Sequence, residues 1–196
     1  MSLIKTTNKF GRFKWRGLKG LRQDTAGVSA IEFALIAPIL VLLYFGGVEL
    51  SFLMQADRRV TTVTATIGDL TSRETVIGNS RKDDIFAASG LLIAPLNSSV
   101  ARMRISNLVA DASGTVVTVD WSDATTNFTP RAVGSTINDI PAGVIAADGS
   151  VVMAEVEYPY DPVIDFLNLG DQVLTDTFYL RPRRTNRIIR DTTTGS

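Results

Sequence analysis

The longest apolar run in the chain lies near its amino terminus and predicts a helix. Residues 33–48 read FALIAPILVLLYFGGV, sixteen positions without a charge, and Glu32 and Glu49 flank them. As a helix this run would be about 24 Å long, somewhat less than the roughly 30 Å hydrocarbon layer of a membrane, so flanking residues would have to complete a span. The run is apolar on every side, which is atypical of a core helix in a soluble domain.

Three kinds of segment contain such a run: a buried core helix, a secretory signal and a membrane-spanning helix. A secretory signal ends in a small-x-small cleavage site, whereas residues 46–49 (GGVE) lead into further helix-compatible sequence. Seven basic residues and one acid precede Gly27. By the positive-inside rule this charge pattern favours the spanning helix, with the amino terminus in the cytoplasm and the carboxyl portion exported.

After the run the apolar positions recur at intervals of three and four. This spacing predicts that the same helix continues outward to about Thr71 with one face packed on other elements. If unbroken from Val28, the helix would be roughly 65 Å long. The positions that form the predicted face are Leu53, Ala56, Val60, Val63, Ile67 and Leu70.

The later chain predicts a short helix and then an antiparallel sheet. Residues 80–83 (SRKD) fit a capping box for a helix that ends near Pro95. Beyond it apolar and polar residues alternate, which indicates strands, with a turn at residues 111–114 and an irregular connection at 122–150 that is expected to hold a short helix. The arginine-rich end after Pro182 is expected to be a solvated tail, with partner docking as the alternative. The apolar strand positions are Met103, Ile105, Val117, Val119, Trp121, Val152, Ala154, Val156, Tyr158, Phe178 and Leu180. The predicted class is α+β, a long helix packed on a small sheet.

Composition removes most familiar catalytic designs. The chain has no cysteine and no histidine, so thiolate chemistry, disulfides and histidine-based acid–base or metal sites are excluded. Residues 28–196 hold 13 basic and 19 acidic residues, which argues against nucleic acid as a partner.

The remaining chemical candidates are carboxylates and one lysine. Glu155 and Glu157 would lie about 6.6–6.8 Å apart on one strand face, but alternating solvent-exposed glutamates produce the same pattern. Lys82 belongs to a helix-start signal, and the acids at 111, 120 and 123 match no known calcium loop. We therefore predict no catalytic residue, no metal and no cofactor. A membrane-tethered hydrolase would require two carboxylates that converge in a cleft.

A carboxylate beside the apolar run either marks the edge of the membrane or has a partner or a function, since burial of a charge in a membrane is costly. Glu32 belongs to the run GVSAIEF at residues 27–33, which resembles the processing site of type IV pilin-like proteins. The wider segment GVSAIEFALIAPILVLLYFGGVEL is similar to the amino-terminal signature of the TadE family, pseudopilins of tight-adherence (Tad, or Flp-type) pili. The match depends on Gly27, Glu32, Phe33, Pro38 and Glu49.

The resemblance implies that a prepilin peptidase cuts between Gly27 and Val28. The new α-amino group would meet Glu32 of a neighbouring subunit and set the register of assembly, since opposite charges attract strongly at low dielectric. Pro38 would loosen one turn of the helix. A first residue of valine and the lack of cysteine depart from common type IV pilins and favour the Tad branch.

The resemblance also implies an organisation and a set of partners. Residues 1–27 would be a cleaved basic leader, 28–50 a transmembrane helix, and 51–196 a periplasmic pilin-like domain. The chain would be a minor pilin that primes, caps or adapts a pilus, located in the bacterial inner membrane or in the extracellular filament. Its partners would be other pilins, the prepilin peptidase, the assembly platform and membrane lipid. The alternative is an uncleaved bitopic scaffold of a pilus or secretion apparatus.

Overall fold

The computed structural model describes residues 25–141, 143–162, 170 and 172–193, so the predicted leader lies almost wholly outside the described residues. The chain divides into two compact units, residues 1–45 and 46–196. The helices are α1 (Thr25–Ser72), α2 (Asn79–Leu91) and a 3-10 helix (Ser98–Val100). The strands are β1 (Val76–Ile77), β2 (Arg102–Ala110), β3 (Val117–Ala124), β4 (Ser150–Tyr160), β5 (Gln172–Leu180) and β6 (Ile189–Arg190).

The predicted α+β class is confirmed. Four strands form an antiparallel sheet in the order β3-β2-β4-β5, and β1 pairs with β6 in a separate parallel ladder. The predicted turn at 111–114 joins β2 to β3, and Asp111 holds it by accepting hydrogen bonds from the backbone N–H groups of Thr115 and Val116. Gly114 adopts a φ of 72°, which glycine tolerates best.

One face of the sheet packs on the helices. The predicted apolar stripe of α1 is buried there, with Val63 and Ile67 fully excluded from solvent. A Cβ added at Gly68 would lie 2.5 Å from Leu180 Cδ1 and 3.5 Å from Ala154 Cβ, so α1 passes very close to β4 and β5 at this point. The sheet residues that complete this core are Met103, Ile105, Trp121, Val152, Ala154, Val156, Tyr158 and Tyr160.

The start of α2 differs from the prediction. The helix begins at Asn79, and its N-cap is Gly78, which offers no side-chain hydrogen bond. Ser80 therefore lies inside the first turn, and the predicted capping box is wrong. The end of α2 at Leu91 agrees with a stop before Pro95.

The opposite face of the sheet is covered by the connection between β3 and β4. Ile137, Ile140, Val144 and Ile145 pack on a second apolar cluster that includes Met153. The short helix predicted in this connection is absent from its described residues, 125–141 and 143–149. Apolar side chains from an irregular segment are enough to cover this face, and an isolated bridge between Thr118 and Thr136 fixes the segment to the edge of β3.

The carboxyl-terminal segment, residues 183–193, is a packed strap, so the predicted solvated tail is wrong for these residues. The Arg183 N–H donates to the Ser72 carbonyl at 2.8 Å, and the Trp121 indole donates to the Ile188 carbonyl at 2.8 Å. Arg190 pairs with Asp123, with Nε 2.5 Å from the carboxylate. Aspartates from distant parts of the sequence thus pair with three arginines of the strap, Arg183, Arg187 and Arg190.

Ile188 anchors this strap and should be sensitive to truncation. Its side chain has no exposed area, whereas Ile189 beside it is 60% exposed. We expect Ile188→Ala to lower the free energy of unfolding by about 2–4 kcal/mol, the usual cost of a core cavity. Ile189→Ala should change it by less than about 0.5 kcal/mol. Thermal unfolding of the detergent-solubilised chain, followed by near-UV circular dichroism, measures both; equal effects would contradict the packed strap.

Candidate functional site: the amino-terminal helix

The first part of α1 presents apolar side chains to its surroundings on all sides. Within the described residues of the first unit, 25–45, the large apolar side chains are mostly half or more exposed, among them Phe33 at 68% and Leu35 at 69%. The most apolar window of this helix has a mean hydropathy of 2.3 and none of it is buried. By length and composition the helix could cross a membrane. An exposed apolar surface of this extent is expected to bind lipid or other apolar helices.

The predicted processing residues all lie on this helix and are accessible. Gly27, Val28, Glu32 and Phe33 are exposed, and apart from the backbone of the helix itself no atom of the described residues lies within 4 Å of a Cβ added at Gly27. Among the described residues Glu32 has no salt-bridge partner. An exposed carboxylate beside apolar residues is suited to meet a cation from outside this chain.

Pro38 lies inside α1, which continues through it. Because proline removes one backbone donor, the helix lacks one hydrogen bond at this turn. The exposed surface at this position is consistent with lipid or a neighbouring helix as its surroundings.

Glu49 differs from Glu32 because its own domain buries it. Its side chain is 1% exposed within the second unit. The stripe of α1 that packs on the sheet continues backward by one step of four residues, from Leu53 to Glu49. Burial and the neighbouring Glu49 carboxylate raise the pKa of the Tyr160 phenol at the end of β4. In the sequence Glu49 marks the end of the apolar run, but the stripe extended by one step predicts that its side chain is buried.

The candidate catalytic glutamates of β4 are held by arginines. Glu155 accepts hydrogen bonds from Arg104 at 2.7 and 2.8 Å and from Arg131 at 3.0 and 2.6 Å. Burial by itself would raise the pKa of Glu155, but the hydrogen bonds from both arginines outweigh it and hold the pKa below its ordinary value. Glu157 lies 3.4 Å from Arg102. Glu155 is thus kept ionised, as expected for a structural ion pair and not for a general acid that donates a proton.

A cavity of about 390 Å³ lies beside Glu155. Asp139 also lines it, together with Arg131, Tyr179 and Asn138, whereas Glu157 does not. Burial and the nearby Glu155 carboxylate raise the pKa of the Tyr179 phenol. Both oxygens of Glu155 are already engaged by guanidinium groups, so the pair of carboxylates that a hydrolase would need is not available at Glu155 and Glu157.

Glu155 should therefore contribute to stability. Glu155→Gln removes the charge that neutralises two arginines, one of which is largely buried. Breaking buried pairs costs about 3–5 kcal/mol, and we expect about 3 kcal/mol because Arg131 retains access to water. Glu157→Gln is the matched control on the same strand face and should cost less than about 1 kcal/mol, since its partner is half exposed. Denaturant unfolding in detergent compares the two variants, and equal losses would contradict a special role for Glu155.

The depressed pKa of Glu155 also predicts a pH dependence. In the unfolded chain its carboxyl group titrates near 4.5, above its value in the folded protein. The contribution of Glu155 is therefore complete above about pH 4.5 and is lost as pH falls through the lower folded pKa. Unfolding measured from pH 6 to 3 should show a smaller acid destabilisation in Glu155→Gln than in the native chain; parallel curves would contradict the linkage.

The candidate calcium ligands have other partners. Asp120 pairs with Arg187 and Asp123 pairs with Arg190. Hydrogen bonds from the Ser113 hydroxyl and the Val116 N–H lower the pKa of Asp111 in its turn. No group of three or more acidic side chains suited to a metal ion occurs in the part of the chain that the structure describes.

Comparison with known proteins gives a family match for one segment of the chain. Residues 27–68 match the family model described as TadE-like protein. This segment contains Gly27, Glu32, Phe33, Pro38 and Glu49, the residues on which the resemblance depends, and it covers most of α1. Comparison with curated proteins gave no match, and comparison with solved structures gave none either. Over residues 27–68, therefore, the chain is similar to TadE-like proteins.

Proposed function

We propose that this chain is a minor pilin or pseudopilin that takes part in the assembly of a Tad (Flp-type) pilus. The observation that carries the proposal is an exposed, uniformly apolar helix, TadE-like in sequence, with one accessible carboxylate, Glu32, near its start. Such a helix can pass from lipid into a bundle of similar helices without changing its surface. The function is assembly through helix packing, without a catalytic step and without a cofactor.

Processing between Gly27 and Val28 supplies the complement of Glu32. The cut would place a positive α-amino group at Val28 and would leave Glu32 near the first turn of the shortened helix, where the helix dipole favours negative charge. In an apolar layer Glu32 would then attract the amino terminus of a neighbouring subunit far more strongly than in water. This pairing would set the axial register of successive subunits.

The membrane arrangement follows from charge. With the basic leader in the cytoplasm and residues 28–50 across the bacterial inner membrane, residues 51–196 would lie in the periplasm. The partners in this arrangement are lipid, the prepilin peptidase, the assembly platform and the helices of other pilins. After extraction from the membrane the chain would enter the extracellular filament and prime, cap or adapt it.

Purified pili from the native host test the proposal. The chain should be present at low stoichiometry, and intact-mass analysis should give Val28 as its first residue. A chain confined to the membrane that retains residues 1–27 would contradict the proposal and would favour the uncleaved bitopic scaffold.

A further inference from the structure

The cavity of about 390 Å³ beside Glu155 lies on the sheet face that carries the β3–β4 connection. Its floor consists of two neighbouring cross-strand pairs, Met153 with Tyr179 and Glu155 with Thr177. Both pairs lie on one face because side chains alternate along a strand. Every residue that lines the cavity belongs to the second unit, so the cavity is independent of the membrane anchoring in the proposed function.

The wall of the cavity is the β3–β4 connection, and hydrogen bonds hold this wall on the sheet. The Ile137 N–H donates to the Val117 carbonyl at 2.9 Å, and the Arg131 N–H donates to the Ser122 hydroxyl at 3.0 Å. The other lining residues of the wall are polar: Thr136, Asn138 and Asp139. Small-molecule sites are usually preformed in this way and have volumes from about 300 Å³ upward, so this cavity suits a small ligand.

The charges around the cavity favour an uncharged ligand. The Arg131 guanidinium is already paired with Glu155, through Nε at 3.0 Å and Nη2 at 2.6 Å. Burial, and after it the carboxylates of Glu155 and Asp139, raise the pKa of the Tyr179 phenol, whereas Arg131 lowers it, so these charges all act on one hydroxyl group. An anion in the cavity would meet two carboxylates, and a cation would meet a guanidinium.

The lining offers hydrogen-bond donors and acceptors together with apolar surface. Four side chains can both donate and accept: Thr136, Asn138, Thr177 and Tyr179. The Asp139 carboxylate, which has no salt-bridge partner among the described residues, is an acceptor. Met153 and Ile137 add apolar surface. The ligand that matches this lining is compact and carries several hydroxyl groups on a C–H framework.

We propose that this cavity binds a neutral sugar, with one pyranose ring inside it. The Asp139 carboxylate accepts hydrogen bonds from sugar hydroxyls, and Met153 contacts C–H groups of the ring. A ligand of this size at ordinary ligand efficiency binds with a Kd of about 1 mM. Sugar binding would be an activity of the second unit in addition to assembly.

Two methionines are matched reporters for this inference. Met153 lines the cavity, whereas Met103 belongs to the core on the helix face of the sheet. The full chain, with ¹³C-methyl methionine and in a detergent without a sugar headgroup, is titrated separately with the methyl glycosides of glucose, galactose, mannose and N-acetylglucosamine. Met153→Leu assigns the resonance. At least one of the four sugars should shift the Met153 methyl signal saturably and leave that of Met103 unchanged.

Two aspartate variants show whether the sugar lies in the cavity. Asp139→Ala should raise the Kd about tenfold, as expected for the loss of a hydrogen bond to a charged group. Asp84→Ala is the matched control, because Asp84 is also exposed, has no salt bridge within the described part of the chain and lies on α2. Its Kd should equal that of the native chain. An unchanged Met103 signal in both variants shows that they are folded.

The inference is overturned if none of the four sugars shifts the Met153 signal at about ten times the expected Kd. Equal shifts of Met153 and Met103, or equal Kd values for the two aspartate variants, would also overturn it. A saturable shift of Met153 by sulfate or by methylammonium, without a response to sugars, would assign the cavity to a charged ligand instead. None of these results would change the fraction of the chain that is processed or found in pili, so the proposed function is tested separately.

Discussion

A Gly27→Val variant should accumulate in the membrane with residues 1–27 still attached, with the processed fraction falling from nearly all to nearly none. If a prepilin peptidase cuts before Val28 as proposed, it would have to accommodate a branched side chain in place of glycine. The fold should not respond, because within the described part of the chain only the helix's own backbone lies within 4 Å of a Cβ at this position. Intact-mass analysis of membrane extracts from the native host measures the uncleaved fraction, and filaments should lack the chain.

Gly47→Val is the matched control for this variant. Gly47 lies on the same helix, and a Cβ there also meets no atom within 4 Å. This variant should be processed as the native chain is, so a defect confined to Gly27 would indicate recognition at the cut rather than a disturbed helix. Normal processing of Gly27→Val would contradict cleavage at this site.

Loss of the Glu32 carboxylate should impair assembly into filaments but leave membrane insertion intact. In Glu32→Ala, insertion should be at least as efficient as in the native chain, since a carboxylate in a membrane segment costs up to about 2.5–3.5 kcal/mol. Recovery of the chain in sheared filaments should fall at least about tenfold, which corresponds to a loss of about 1.4 kcal/mol in subunit pairing. The ratio of chain in filaments to chain in membranes is the measurement.

Two further variants show whether charge is the cause. Glu32→Asp keeps a carboxylate and should recover much of the assembly, whereas Leu35→Ala removes only apolar surface from another exposed position of the helix. Assembly of Glu32→Ala at the native level would contradict the pairing of Glu32 with a neighbouring amino terminus. Together with an uncleaved leader, that result would favour the scaffold alternative.

The helices and strands of this fold could be predicted from the sequence where one spacing of apolar residues extends over a long segment. The recurrence from Leu53 to Leu70 predicted the packed face of α1, and alternation around Ile105 and Ala154 predicted strands in the central sheet. The predicted capping box failed because Gly78, rather than Ser80, begins the second helix. A local signal of four residues could not decide between starts that differ by one or two positions.

The candidate site was predicted from the sequence on a different basis. Gly27, Glu32 and Phe33 lie in a linear segment whose side chains are exposed, so their order along the chain already contains the features that a peptidase or a neighbouring helix would meet. The burial of Glu49 was not predicted from the sequence. Its burial depends on the end of β4, where Tyr160 lies, more than 100 residues later in the sequence.

By itself the sequence determined the apolar helix, its continuation as a packed stripe, the alternating strands and the TadE-like segment, because each depends on the order of neighbouring residues. Only the tertiary structure decided that Glu155 is neutralised by Arg104 and Arg131, that the carboxyl-terminal arginines form a strap, and that Glu49 is hidden in the domain. From the sequence alone, a charged side chain is expected to be solvated, because its ion-pair partners are distant along the chain. Folding brings those partners together, and their proximity determines whether a charge faces water, a salt bridge or lipid.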